Sequence, residues 1–77
     1  MQKSLKELGK NESAVVVKIG GQGQIRQRLF DMGITPNTKV TMLRAAPLGD
    51  PVEITLRGYE LSLRKSEAEL IQVEGNF

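Results

Sequence analysis

The chain has 77 residues, enough for one small domain, and contains neither cysteine nor histidine. This composition excludes disulfide bonds, thiolate and imidazole metal ligands, and the commonest general base. The net charge of +2 is too small to indicate nucleic-acid binding by itself. No apolar run approaches the ~18 residues of a membrane span, and the N-terminus lacks the apolar centre of a signal peptide. We therefore expect a cytoplasmic protein without direct membrane insertion, folded as a single domain over residues 1–77.

The first elements predicted in chain order are a helical turn and a strand. Ser4–Glu7 has the spacing of a capping box, so it predicts a short helical turn. The valine-rich Ser13–Ile19 predicts the first strand. Alternate residues of that strand are expected to form its apolar face, namely Val15, Val17 and Ile19.

A glycine-rich break, Gly20–Gly23, follows the first strand. A phosphate-binding loop would continue with Gly-Lys-Ser or Gly-Lys-Thr, and this sequence does not. The dinucleotide fingerprint needs a third glycine, and Arg26 stands in its place. We interpret the break as a joint between the strand and a helix.

An amphipathic helix is predicted from Gln22 to Met32. Ile25, Leu29 and the final methionine are spaced i, i+4, i+7, so they should share one buried face. Basic residues on the outer face either bind an acidic partner or simply meet solvent. These residues are Arg26 and Arg28.

The helix is expected to end in a tight reversal. Gly33 stands where the left-handed backbone conformation commonly ends a helix. Pro36 presets φ for a turn, and Asn37 tolerates a positive φ. These three residues and Leu29 are therefore predicted to be structural.

The second strand is predicted at Lys39 to Arg44, and the long loop Ala45–Pro51 follows it. A β-hairpin should come next, with strands Val52–Arg57 and Glu60–Arg64. We predict Gly58-Tyr59 as a two-residue type II′ turn, which makes Gly58 structural. That register places Leu56 opposite Leu61 and pairs opposite charges on the other face, Arg57 with Glu60 and Glu53 with Arg64.

A second capping box, Ser66–Glu69, predicts another helical turn, and Leu70–Val73 predicts a closing strand. Residues 74–77 are expected to fray. The predicted fold is therefore mainly β, with about five antiparallel strands in a small, partly open barrel. One α-helix lies between the first two strands, and the remaining helical segments are short turns.

Several motifs together resemble one protein family. They are Leu5-x-x-Leu-Gly, Arg28-Leu-x-x-Met-Gly-Ile-x-Pro, Ala46-Pro-Leu-Gly-Asp-Pro51, Gly58, Leu61-x-Leu-Arg64 and Glu67-Ala68. The resemblance is to FeoA, the small cytosolic component of bacterial ferrous iron uptake, and covers Ser4 to Val73. It implies an SH3-like barrel acting beside FeoB, a membrane transporter that carries a cytosolic G domain. Asn37 departs from the family pattern, which usually has glycine there.

Binding at a surface is the function that the residues favour. No histidine is present to activate a serine, and only carboxylate and carbonyl oxygens remain as metal ligands, so we assign no catalytic residue, cofactor or metal site. The candidate partner-binding loop presents Leu48 between two prolines and comprises Pro47, Leu48, Gly49 and Asp50. The expected function is a protein-interaction adaptor for the transporter's cytosolic part.

A nucleic-acid-binding or transcription-regulator module is the alternative function. The resemblance also implies this alternative, because related domains occur at the end of metal-dependent repressors. Such a module would show clustered basic and aromatic residues. Basic residues in this chain are instead interspersed with acidic ones, so we expect no nucleic-acid partner.

Overall fold

Six antiparallel strands form one sheet in the computed structural model, which describes residues 1–75. The strands are β1 (Gln2–Ser4), β2 (Ser13–Ile19), β3 (Lys39–Ala45), β4 (Val52–Leu56), β5 (Tyr59–Leu63) and β6 (Ile71–Glu74). The helices are α1 (Gly23–Asp31) and α2 (Lys65–Ala68), and a 3₁₀ turn spans Leu5–Glu7. The strands lie in the order β1-β6-β2-β3-β4-β5. Neither helix in the described residues has the length and apolarity needed to cross a bilayer.

Strand β1 is an addition to the five predicted strands, so α1 lies between the second and third strands. Gln2 pairs with Glu74, and Ser4 pairs with Gln72. The pairing also extends β6 to Glu74, where fraying was predicted; residues 76 and 77 lie outside the described part of the chain. The residues of β1 show no apolar alternation that would predict a strand. The segment is a strand because it pairs with β6.

The predicted capping box at Ser4 does not form. Ser4 belongs to β1, and its buried hydroxyl has no hydrogen-bond partner among the described residues. The helical turn itself is present at Leu5–Glu7, and both Leu5 and Leu8 are buried as part of the core.

The predicted inner face of β2 is correct at Ile19 and wrong at Val15 and Val17. Val15 and Val17 are the more exposed residues, whereas Val16 and Ile19 are buried. The register of β2 against β6 shifts between Val16 and Lys18, as a β-bulge would produce. A bulge adds one residue to a strand, so two residues three apart can face the same side.

Helix α1 has the predicted extent, with Gln22 and Met32 as its capping residues. Leu29 is fully buried, as predicted. Ile25 was predicted to share that buried face, and this is wrong because its side chain is 51% exposed. The buried contacts of α1 are confined to its last turns, where Phe30 packs against the core beside Leu29.

The reversal after α1 is a Schellman motif, which confirms the role predicted for Gly33. The Ile34 N–H donates to the Leu29 carbonyl at 3.0 Å, and the Gly33 N–H donates to the Phe30 carbonyl at 2.9 Å. Gly33 has a φ of +93°, and Ile34 folds back into the core. This arrangement ends the helix and turns the chain towards β3.

The next turn also has the predicted geometry. The Thr38 N–H donates to the Thr35 carbonyl at 3.2 Å, with Pro36 and Asn37 between them. Asn37 has a φ of +74°, so a positive φ follows the proline as in a type II turn. The Asn37 N–H then donates to the Val16 carbonyl at 2.7 Å, which ties the turn to β2.

The hairpin turn differs from the predicted one by one residue. Arg57 and Gly58 are the two loop residues, with φ of +49° and +85°, and Leu56 pairs with Tyr59. Two successive positive φ values are the geometry of a type I′ turn. Arginine rarely adopts a positive φ. The turn was therefore predicted to begin at Gly58 and not at Arg57.

The hairpin keeps its predicted apolar face but not its predicted charge pairs. The pairing differs by two residues, which preserves the strand faces, so Ile54 and Leu63 remain buried. Glu53 forms an ion pair with Arg44 of β3 at 2.5 Å instead of with Arg64. The Arg57 guanidinium donates to the hydroxyls of Thr35 and Thr38 rather than pairing with Glu60.

One apolar core lies inside the sheet and draws residues from nearly every element. Its buried members are Leu5, Leu8, Ala14, Val16, Ile19, Leu29, Ile34, Val40, Met42, Val52, Ile54, Leu56, Leu63, Ala68, Ile71 and Val73. The long loop before β4 contributes no member to this core. That loop is therefore free to serve as a surface feature.

We predict that Gly33→Ala destabilises the chain more than Gly58→Ala. Both glycines have a positive φ, so either substitution should cost about 1–2 kcal/mol of unfolding free energy through backbone strain. A Cβ at Gly58 would meet open space, whereas a Cβ at Gly33 would lie 2.5 Å from the Tyr59 hydroxyl oxygen. Crowding should therefore add roughly 1–3 kcal/mol at Gly33. Denaturant unfolding measures both variants, and equal losses would contradict the close packing of Tyr59.

Candidate docking surface

The loop between β3 and β4 is closed by its own backbone. The Ala46 N–H donates to the Pro51 carbonyl at 2.9 Å, and the Gly49 N–H donates to the Ala46 carbonyl at 2.8 Å. Asp50 accepts a hydrogen bond from the Lys65 N–H at 3.1 Å, which attaches the loop to the first residue of α2. We refer to residues 46–51 as the Leu48 loop.

Leu48 occupies the tip of this loop and is 97% exposed. Its φ of +69° and ψ of 9° are left-handed, and Gly49 beside it has a φ of +78°. A left-handed conformation costs a residue with a side chain about 1–2 kcal/mol, and it is a rare conformation for a bulky one. The loop therefore presents a large apolar side chain to solvent at an energetic cost to the fold.

The two arginines predicted on the outer face of α1 lie in different surroundings. The Arg26 guanidinium stacks over the Phe30 ring at 4.6 Å from its centre, and it also donates to the Ile19 carbonyl at 3.4 Å. Arg28 instead forms an ion pair with Glu67 of α2 at 3.3 Å. Positions two apart are about 200° apart around a helix, so only Arg28 faces α2.

The predicted capping box at Ser66–Glu69 is wrong by two residues, because Arg64 is the N-cap residue of α2 and Glu67 occupies the position predicted for Glu69. The helix spans Lys65–Ala68, and the carboxylate that caps it belongs to Glu67, which accepts the Arg64 N–H at 2.9 Å. The Glu67 side chain is only 10% exposed and also forms the ion pair with Arg28. One buried carboxylate therefore fixes both the start of α2 and its position against α1.

A groove of about 260 Å³ lies between α1 and α2, and the sequence did not predict it. Its lining residues are Ile25, Arg28, Arg64, Ser66, Glu67 and Leu70. The one groove residue with a clear sequence pattern is Ile25, and its helical spacing predicted a buried core residue. The exposure of Ile25 follows instead from the space that α2 leaves open beside α1.

A larger concavity of about 530 Å³ lies over β3, β4 and the hairpin turn. Its lining includes Lys39, Thr41, Thr55, Arg57 and Glu60, and it contains no residue of the Leu48 loop or of either helix. Arg57 is already bonded to two threonine hydroxyls. This mixed polar surface indicates no particular ligand chemistry.

Most charged contacts of the described residues join a basic side chain to a nearby carboxylate. These ion pairs are Lys3–Glu12, Lys6–Glu69, Arg28–Glu67 and Arg44–Glu53. Residues 1–75 contain no group of three or more His, Cys, Asp or Glu side chains placed to hold a metal ion. The surface therefore offers neither a concentrated basic patch nor a carboxylate cage.

Comparison with known proteins identifies the family. The family model of the FeoA domain matches residues 3–75. The chain belongs to the FeoA family. An FeoA-like protein from Clostridium acetobutylicum has a solved structure that is 39% identical with a TM-score of 0.89, covering 99% of this chain and 88% of that one. The family is one of ferrous iron transport.

Two other relatives bear on the fold and on the partner. FeoA from Stenotrophomonas maltophilia, solved with zinc and described as an SH3-domain protein, is 29% identical with a TM-score of 0.81, covering 94% of this chain and 89% of that one. The predicted mainly β, SH3-like fold is thus confirmed. A Porphyromonas gingivalis protein that fuses Fe(2+) transport protein A to the transporter FeoB is 39% identical over 70 residues. The match covers 91% of this chain but only 8% of the fusion protein.

The fold also occurs in manganese-dependent transcriptional repressors. One such structure has a TM-score of 0.87 at 16% identity and matches 95% of this chain but 36% of the repressor. At this identity the likeness concerns the fold alone, because one fold serves many functions.

We predict that the chain binds Fe²⁺ weakly, without a stoichiometric site of micromolar affinity. Its sequence has no imidazole or thiolate, and isolated carboxylates favour harder cations. Anaerobic calorimetry with ferrous iron checks this, with Mg²⁺ as the matched divalent control. A saturable 1:1 isotherm for Fe²⁺ in the micromolar range, absent for Mg²⁺, would contradict it.

Proposed function

We propose that this FeoA-family chain is a non-catalytic adaptor that docks on the cytosolic G-protein part of a FeoB-type ferrous iron transporter. The existence of a natural fusion between the two proteins supports this choice of partner. The single observation that carries the docking surface is Leu48, an exposed leucine held in a left-handed conformation. In this proposal the adaptor acts in the cytoplasm and holds no metal or cofactor.

The conformation of Leu48 argues for a function outside the fold. Glycine or asparagine would adopt the same backbone angles at lower cost. The leucine side chain is 97% exposed, so no packing within residues 1–75 offsets the strain. Strained backbone residues of this kind cluster at binding and catalytic sites, where the surrounding structure holds them in place.

The loop also has the rigidity that an anchoring side chain needs. Two backbone hydrogen bonds close it, and the Asp50 carboxylate attaches it to α2. A preorganised loop loses less conformational entropy when it binds, so more of the contact energy becomes affinity. An apolar side chain presented in this way is suited to insert into a pocket of a protein partner.

We predict that Leu48→Asn separates binding from stability. Asparagine tolerates the left-handed region, so the free energy of unfolding should stay equal or rise by up to about 1 kcal/mol. Affinity for the transporter's cytosolic domain should fall by at least about 1–2 kcal/mol, because the apolar anchor is lost. Leu48→Asp should weaken binding further by burying an unpaired charge. Thermal melts and calorimetry against that domain measure both quantities.

Leu29→Ala is the control for loss of folding. Leu29 is fully buried, so its truncation should cost roughly 2–5 kcal/mol of stability and reduce binding only through unfolding. Wild-type affinity in both Leu48→Asn and Leu48→Asp would remove the Leu48 loop from the interface.

A further inference from the structure

The groove between α1 and α2 has an apolar floor that the chain itself leaves uncovered. Ile25 is half exposed, and Leu70 is only partly buried. A Cβ built on Gly21 would lie 3.1 Å from a methyl of Leu70 and 3.7 Å from a methyl of Ile25. Two aliphatic side chains, one from α1 and one from the segment after α2, therefore converge over Gly21.

Two arginines and one glutamate line this groove, so the charge of its lining is +1. Arg28 and Arg64 line it, and Lys65 follows Arg64 at the start of α2. The carboxylate on the same rim, Glu67, is nearly buried and already bonded to Arg28 and to a backbone N–H. Arg28 and Glu67 neutralise each other, so the Arg64 guanidinium is the charge of the lining that an incoming segment meets, and complementary charge on that segment is negative.

The Leu48 loop is attached to α2 next to residues that line the groove. The Asp50 carboxylate bonds to the N–H of Lys65, and the residues on either side, Arg64 and Ser66, line the groove. Helix α2 therefore contacts the Leu48 loop through Asp50 and contributes Ser66 and Glu67 to the groove. This arrangement lets one partner segment that lies along α2 reach both features.

The geometry points to the groove as a second anchor point of the docking interface. We infer that it receives a segment of the transporter's cytosolic part that presents an apolar side chain flanked by carboxylates. This inference rests on the proposed function for the identity of the partner. A groove of about 260 Å³ falls below the ~300–1,000 Å³ of typical small-molecule pockets, which favours a single protein side chain as its occupant.

The test uses matched pairs of charge substitutions in the whole chain. Ile25→Glu places a carboxylate in the groove, and Gln24→Glu makes the same change in charge at the neighbouring exposed position of α1. Arg64→Glu reverses a rim charge, and Lys39→Glu makes the same reversal on β3, which does not line the groove. Calorimetry against the transporter's cytosolic domain gives affinities, and thermal melts report folding.

We expect Ile25→Glu to weaken binding about tenfold or more, and Gln24→Glu to change it by less than about twofold. Arg64→Glu should weaken binding about fivefold at low salt, and the loss should shrink as ionic strength rises. Lys39→Glu should match the wild type. If Ile25→Glu lowers the melting midpoint, Arg64→Glu still tests whether the groove takes part in binding.

The outcomes separate this inference from the proposed function. If Leu48→Asp weakens binding while both groove variants behave like their controls, the groove is not part of the interface and the adaptor function stands. If the wild-type chain fails to bind the cytosolic domain, both are overturned. Equal losses in the groove variants and their controls would indicate a nonspecific charge effect and would also overturn the groove.

Discussion

The reversal at residues 29–38 is the constraint on which the rest of this structure depends. Its own hydrogen bonds end α1, and Leu29 and Ile34 place both sides of the turn in the core. Other elements then bind to it: the backbone of Val16 exchanges two hydrogen bonds with the turn, and the Tyr59 hydroxyl donates to the Met32 carbonyl at 2.5 Å. A chain of this size has a small core, so one well-satisfied turn that joins a helix, β2 and the hairpin has a large effect on stability.

This rigid frame explains how the Leu48 loop can hold an unfavourable conformation. Strand β3 begins directly after the reversal and pairs with β4. The Leu48 loop connects the end of β3 to the start of β4. The ladder fixes both ends of the loop, and Asp50 fixes its side against α2. A strained tip of about 1–2 kcal/mol persists only where the surroundings determine it in this way. The stability of the barrel is therefore what keeps Leu48 in its strained, exposed conformation.

Much of the fold could be predicted from the sequence because its signals are local. Gly33 and Asn37 predicted positive φ values correctly, since helix ends and turns select these residues wherever they occur. The positions of β2, α1 and β3 likewise followed from apolar patterns and breaks. The buried leucines of the hairpin were correct even in the wrong register, because a shift of two residues keeps each side chain on its face.

The features that the sequence did not predict depend on contacts between distant segments. Strand β1 exists because β6 pairs with it, and the bulge in β2 is defined only by the register against that same strand. Arg57 takes a positive φ while its guanidinium bonds to threonines in the reversal, about twenty positions earlier. The groove is a gap between α1 and α2, so no local pattern could indicate it. The Leu48 loop was recognisable from its prolines, but the left-handed angle of the leucine was not.

The proposed docking face consists of α2, the Leu48 loop and the groove. The most direct measurement is a titration of the ¹⁵N-labelled chain with the cytosolic domain of a FeoB-type transporter, followed by amide chemical shifts. We expect the largest changes at residues 46–51, at 64–70 and around Ile25, with little change at Lys39 and the Arg57-Gly58 turn. Changes concentrated on β3 and the hairpin turn, with the Leu48 loop and α2 unaffected, would contradict it.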